Sequence, residues 1–134
     1  MGFALPAAIS AALENSERGT VAFTGDGGFM MCCSELATAV QYKANIIVII
    51  FNDGALSLID IKQKSRNLKR SGTTWPRSDF AKVAEGFGCR AWKVDDIDSY
   101  KIALSEASNL KGTRVIDVWV DPQGYQEQLK SLRG

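Results

Sequence analysis

The stretch TGDGGFMMCCSELATAVQYKANIIVIIFNDGA, residues 24–55, decides the fold. Residues 46–51 within it are six consecutive apolar side chains, mostly β-branched, with none of the alternation of a half-exposed strand. Such a run reads as a strand covered on both faces, the situation of a parallel sheet between helix layers. Residues 34–43, just before it, repeat apolar side chains at helical spacing through Leu36, Ala39 and Val40. Two short polar islands, Gly25-Asp26-Gly27-Gly28 and Asn52-Asp53-Gly54, each directly follow an apolar run. Both islands therefore stand at the carboxyl ends of strands.

The same alternation continues outward. Residues 5–14 have Pro6 near a helix start, abundant alanine and apolar positions on one face. Arg18-Gly19 turns the chain into a β-branched strand at 20–24 that ends on Gly25. Asp79 is a capping residue for a helix at 79–88 that closes on glycine, followed by a strand at 91–94. A helical pattern at 97–110 and an apolar, β-rich run at 113–120 complete the series. Strands alternating with helices at this spacing predict right-handed crossovers: an α/β fold of three layers, with a mainly parallel sheet between helices. Ligands of such sheets bind beyond the carboxyl ends of the strands, where both islands sit.

Composition bounds the function. With 134 residues, 46% of them hydrophobic and 23% charged, one domain spanning 1–134 can bury an ordinary core. The formal charge of +1 supplies no global field toward nucleic acid or an anionic membrane. No apolar stretch reaches the roughly 20 residues of a membrane span, and the Met1 end lacks the pattern of a signal peptide, so the expected location is cytoplasmic. Cys32, Cys33 and Cys89 are odd in number, and bridging the adjacent pair would close a strained ring. They read as small buried helix or turn residues, and the absence of histidine argues against a zinc site.

Glycines 25, 27 and 28 leave a backbone without β-carbons that can approach an anion closely with its N–H groups. This is not the dinucleotide fingerprint, which would need glycine at Met30, and no Gly-Lys-Ser/Thr follows to make a P-loop. By itself G-D-G is a weak signal and reads first as a plain turn. Asp26 beside a phosphate implies a cation between the two anions, and hard cations such as Mg²⁺ combine one or two carboxylates with substrate phosphates. Asp53, at the next strand end, could supply the second oxygen, or could serve only as a turn or helix cap.

Together, G-D-G, the helix containing Glu-Leu-Ala-Thr-Ala, the apolar strand and the Asn-Asp pair resemble the diphosphate-binding domain of thiamine-diphosphate-dependent enzymes. In that family the Asp of G-D-G and a residue 27 positions later bind the metal, which here are Asp26 and Asp53. The third protein ligand, a backbone carbonyl two residues on, maps to Ala55. Asp53 is a departure from the commoner Asn, shared with the catabolic acetolactate synthases. Met1-Gly2-Phe3-Ala4-Leu5-Pro6-Ala7-Ala8 resembles the segment that carries the bulky side chain beneath the cofactor, a role that falls on Met1. The resemblance thus implies thiamine diphosphate and Mg²⁺ as cofactors. The residues it implies at the cofactor are Met1, Gly25, Asp26, Gly27, Gly28, Asp53, Ala55 and Leu58, and at the metal Asp26, Asp53 and Ala55.

The chain most resembles the acetolactate synthases, which implies decarboxylation of a 2-oxo acid such as pyruvate followed by carboligation. Pyruvate oxidases, simple 2-oxo acid decarboxylases and acyl-CoA decarboxylases share much of this domain, and a non-catalytic cofactor-binding module is the alternative of another class. The family's activating glutamate comes from a pyrimidine-binding domain, usually of a second subunit in a homodimer or homotetramer. Glu35 reads as a structural or surface residue rather than that glutamate, so no catalytic side chain is expected within 1–134 and the stretch alone is expected to be inactive. The resemblance also implies a first strand and helix before Met1. Five basic residues in 62–70 read as a solvated helix end and loop, or as a captor of an anionic substrate; Leu58 and Ile59 read as apolar walls near the cofactor.

Overall fold

The computed structural model describes residues 1–15 and 17–133. The elements run α1 (Ala4–Glu14), β1 (Thr20–Gly25), α2 (Asp26–Met30), α3 (Glu35–Gln41), β2 (Ile46–Asn52), α4 (Ser57–Ser65), α5 (Phe80–Gly86), β3 (Arg90–Val94), α6 (Ile97–Ser108), β4 (Thr113–Trp119) and α7 (Tyr125–Arg133), with a single 3₁₀ turn at Pro122–Gly124. All four strands are parallel, in the order β1-β2-β4-β3. β2 lies inside the sheet, buried from Ile46 to Ile50 on both faces, which is why its sequence does not alternate.

Each face of the sheet has its own apolar cluster. Leu5, Ala8, Ile9 and Ala12 of α1, Leu36 and Ala39 of α3, and Phe80 and Ala84 of α5 pack with Ala22, Val48 and Ile50 on one face. Ala103 and Ala107 of α6 pack with Ile47, Ile49 and Ile116 on the other. The chain moves outward from β1 to β2 to β3 and then back to β4, and a right-handed crossover made in the reverse direction places its helix on the opposite face. The expected three-layer α/β architecture is therefore observed.

Two buried polar groups anchor opposite ends of the sheet. At the amino end Arg114, 3% exposed, donates to Ile46 O at 3.2 Å, to Asn45 Oδ1 at 2.8 Å and to Leu110 O, tying the start of β2 to the end of α6. At the carboxyl end Asp117, fully buried, accepts from Asn52 Nδ2 at 2.9 Å, Phe80 N at 2.9 Å and Trp119 Nε1 at 3.2 Å. Asn52 Nδ2 also donates to Ser78 O at 2.8 Å, so β2, β4 and the start of α5 are fixed to one another beneath the second island.

The local predictions differ from the structure in a few places. The first island is not an open loop: Gly25 is extended and Asp26 already opens the one-turn helix α2. Residues 34–43 become a shorter helix, α3, because Lys43 takes a positive φ of 52° that ends it. α4 and α7 are additions to the predicted elements. Cys89 is buried and its thiol is pushed up to about 11 by burial, while Cys32 and Cys33 are half-buried in the turn before α3. None of the three forms a disulfide.

Candidate functional site

β1 and β2 are adjacent and in register, Thr24 opposite Ile50 and Gly25 opposite Phe51, so the turns that follow them emerge side by side. Asp26 joins them. Its carboxylate, 2% exposed, accepts from the N–H of Gly27 at 2.7 Å through Oδ1 and from the N–H of Gly54 at 2.8 Å through Oδ2. Burial is the largest influence on this group and pushes its carboxyl above the ordinary value. The Gly27 and Gly54 N–H groups oppose that push, and the negative charge of Asp53 adds to it. The two carboxylates thus stand on one edge, each at the end of its own strand.

Asp53 is held by its own turn: Oδ1 accepts from Ala55 N at 2.9 Å and Oδ2 from Ser57 Oγ at 2.5 Å. The backbone that presents it is tightly placed. Gly54 has φ +72°, and a β-carbon there would lie 2.9 Å from Trp75 O and 3.0 Å from Arg77 Cγ. Gly54 O and Leu56 N in turn bond Trp75 N and Thr73 O, at 3.0 and 2.8 Å. Ala55 sits between these bonds, and its carbonyl accepts no hydrogen bond among the described residues. The first island is crowded as well: a β-carbon on Gly27 would meet Leu56 Cδ2 at 2.7 Å, and one on Gly28 would meet Thr24 Oγ1 at 3.0 Å.

A cavity of about 570 Å³ opens at this edge, and every residue expected at the cofactor lines it: Met1, Gly25, Asp26, Gly27, Gly28, Asp53, Ala55 and Leu58. Ile59 lines it as well. Met1 Cε lies 3.7 Å from the position of a Gly27 β-carbon, which puts its thioether against the glycine turn. Among the described residues no group of three or more His, Cys, Asp and Glu side chains converges. A metal here would be held by the two carboxylates and a backbone carbonyl, a hard-oxygen donor set that fits Mg²⁺ and its preference for leaving further positions to phosphate and water.

The cavity has a wall that the strand and helix periodicities did not foreshadow. Tyr125, Gln128 and Leu129 of α7 line it, as do Phe51, Leu56 and Ser57. Ser57 carried a legible signal, a hydroxyl four residues after Asp53 at a helix start, whereas α7 offered none that connects it to β1. Glu35 lies away from the cavity and accepts from Thr38 Oγ1 at 2.9 Å within α3, a structural role as expected. The basic segment is partly structural: Asp60, 5% exposed, pairs with Lys64 at 3.0 Å and Arg70 at 2.5 Å. Burial alone would raise the Asp60 carboxyl, but its bonds and charge contacts with Lys64 and Arg70 hold it below the ordinary value.

Known proteins share this arrangement. The model of the thiamine pyrophosphate enzyme C-terminal TPP-binding domain matches residues 1–118. The chain is 36% identical to the catabolic acetolactate synthase of Raoultella terrigena over 90% of this chain and 22% of that one. It is 33% identical to a 3D-(3,5/4)-trihydroxycyclohexane-1,2-dione hydrolase of Lacticaseibacillus casei over 93% of this chain and 21% of that one. A solved structure, the thiamine diphosphate-dependent 4-hydroxybenzoylformate decarboxylase of Rhodococcus jostii RHA1, superposes with a TM-score of 0.85 at 30% identity, over 90% of this chain and 23% of that one. The chain thus spans about a fifth of the length of these relatives. With G-D-G and N-D-G at neighbouring strand ends of a parallel sheet and a family match over most of its length, the chain belongs to the thiamine pyrophosphate enzymes and carries their C-terminal TPP-binding domain.

Proposed function

We propose that the cavity at the ends of β1 and β2 binds thiamine diphosphate together with Mg²⁺. Asp26, Asp53 and the Ala55 carbonyl would hold the metal, and the turn Gly25 to Gly28 would face the diphosphate, with Met1 and Leu58 against the rest of the cofactor. The observation that carries this reading is the Asp26 carboxylate bridging the N–H groups of Gly27 and Gly54, which makes one polar edge of two separate turns. The cofactor, when bound, supplies the carbanion chemistry that acts on a 2-oxo acid. This chain's residues place it, supply oxygens to its metal and exclude water with the apolar side chains of Leu56, Leu58 and Ile59.

Within the family, the reading this sequence favours is a decarboxylase and carboligase of the acetolactate synthase kind, acting on pyruvate or a related 2-oxo acid as a homodimer or homotetramer. The activating glutamate would come from a pyrimidine-binding domain outside residues 1–134. The comparable likeness to a trihydroxycyclohexanedione hydrolase supports a second reading, in which the same domain serves hydrolytic cleavage of a cyclic dione. Isothermal titration with thiamine diphosphate tests the shared core of both. Binding in Mg²⁺ should be at least ten-fold tighter than in chelator, because the metal screens two carboxylates from the diphosphate. Equal affinity in the two conditions overturns the assignment.

A further inference from the structure

Tyr125 opens α7 and lines the same cavity as Asp26 and Asp53, although it is 72 residues beyond Asp53 in sequence. It is half-buried, and its hydroxyl makes no hydrogen bond among the described residues. That oxygen is not one of the sealed, unpartnered polar atoms, which among the described residues are Asn52 Oδ1 and Trp75 Nε1, so it is open to solvent on a residue that lines the cavity. Tyrosine hydroxyls placed this way normally find a partner.

The nearby acids do not supply one. Asp53 accepts from Ala55 N and Ser57 Oγ and Asp26 from Gly27 N and Gly54 N, and no hydrogen bond joins Tyr125 to either acid among the described residues. Burial raises the Tyr125 phenol above its ordinary value, the charges of Asp53 and Asp26 raise it further, and Arg77 opposes them. The hydroxyl therefore keeps its proton through the neutral range and stands as a free donor beside the acidic end of the cavity. An anionic oxygen brought in by a ligand is the acceptor that such a donor lacks.

We propose that the Tyr125 hydroxyl donates a hydrogen bond to a diphosphate oxygen of thiamine diphosphate bound in this cavity, so that α7 contributes to cofactor binding through a polar contact as well as by covering the site. This rests on the cofactor assignment above. Tyr125 lines the same cavity as Asp26, Asp53 and the Gly25 to Gly28 turn, where the assignment above puts the diphosphate, and that favours the diphosphate over the carboxylate of a substrate as its acceptor.

The test is titration of the whole chain with Mg²⁺ and either inorganic pyrophosphate or thiamine diphosphate, for the wild type, Tyr125→Phe, Tyr125→Ala and Asp26→Ala. Phenylalanine removes one oxygen atom from a half-exposed ring, so the fold is retained and thermal melting without ligand serves as the check. Tyr125→Phe should weaken both ligands on the order of ten-fold, as expected for a bond to a charged acceptor. If Tyr125→Phe binds both like the wild type and only Tyr125→Ala is impaired, the ring acts by packing and the proposal fails. Loss confined to thiamine diphosphate, with pyrophosphate unaffected, also overturns it. Failure of the wild type to bind either ligand, with Asp26→Ala no different, overturns the cofactor assignment and this proposal with it; tight wild-type binding with an unchanged Tyr125→Phe overturns this proposal alone.

Discussion

Asp26 and Asp53 face the same cavity, but their loss should have different consequences. Asp26 is buried and holds two backbone N–H groups, so Asp26→Ala leaves Gly27 N and Gly54 N without their acceptor and should cost about 1–3 kcal/mol of stability. Asp53→Asn keeps one side-chain oxygen and removes a negative charge next to Asp26. A modest loss of Mg²⁺ affinity should accompany it, with thiamine diphosphate binding retained at saturating Mg²⁺. Calorimetry on the two variants makes the comparison, and equal impairment would show that the two carboxylates are interchangeable. Gly54 is a sharper case of local geometry. Alanine there must adopt φ +72° and place its β-carbon 2.9 Å from Trp75 O, so Gly54→Ala should destabilise the chain by about 1–3 kcal/mol in urea denaturation. A turn at Asn52-Asp53-Gly54 was legible in the sequence; the strain at Gly54 and the Trp75 carbonyl 21 residues away came only from the structure.

β2 announced itself through an unbroken apolar run, β4 through an apolar, β-rich one interrupted by Arg114 and Asp117, and α6 through its period; its cap, where Asp96 accepts from Asp98 N and Ser99 N at 2.8 and 2.9 Å, is a finding of the structure. α2 was hidden because Asp26-Gly27-Gly28 has poor helix propensity and forms only where the adjoining turn and Asp26's two bonds fix it. α7 carries Tyr125, Leu129 and Leu132 at helical spacing in the sequence, but that local pattern says nothing of the cavity the helix lines. What fixes α5 against the sheet is Asp117, whose carboxyl burial raises above its ordinary value against the opposing bonds from Asn52, Phe80 and Trp119. A carboxyl raised in the folded state binds its proton more tightly there than in the unfolded chain. Its stabilising contribution is therefore complete below the ordinary value of 3.8 and is lost as pH rises through the raised folded value. Urea midpoints followed upward from pH 3.8 should show this decline in the wild type, and Asp117→Asn should flatten it. The same substitution should cost about 1–3 kcal/mol near neutrality, because the amide keeps one acceptor oxygen and its NH₂ must face a donor, either Asn52 Nδ2 on one side or Phe80 N and Trp119 Nε1 on the other. An unchanged slope would assign the decline to other groups.

The molecule brings both polar turns to a single cavity among the described residues, while the relatives it matches are about five times as long. Purified residues 1–134 should release no carbon dioxide from pyruvate with thiamine diphosphate and Mg²⁺ present, since the activating glutamate is expected from a separate pyrimidine-binding domain. Measurable turnover would require an acid within this chain to take that role, with Glu35 placed away from the cavity. The strands, their parallel arrangement and the position of both polar turns followed from the amino-acid order, because run length and periodicity are set by neighbours only a few residues apart. The pairing of Asp26 with Asp53 followed from motif spacing once the family resemblance was drawn. The convergence of Asp26 on Gly54, of Asn52 on Asp117 and of Tyr125 on the cavity came only from the folded chain. Those contacts join residues separated by 28 positions or more, and packing of strands and helices against one another selects them. Local pattern carries no term for such distances, so the edge of the sheet could be read from the sequence while the full lining of its cavity could not.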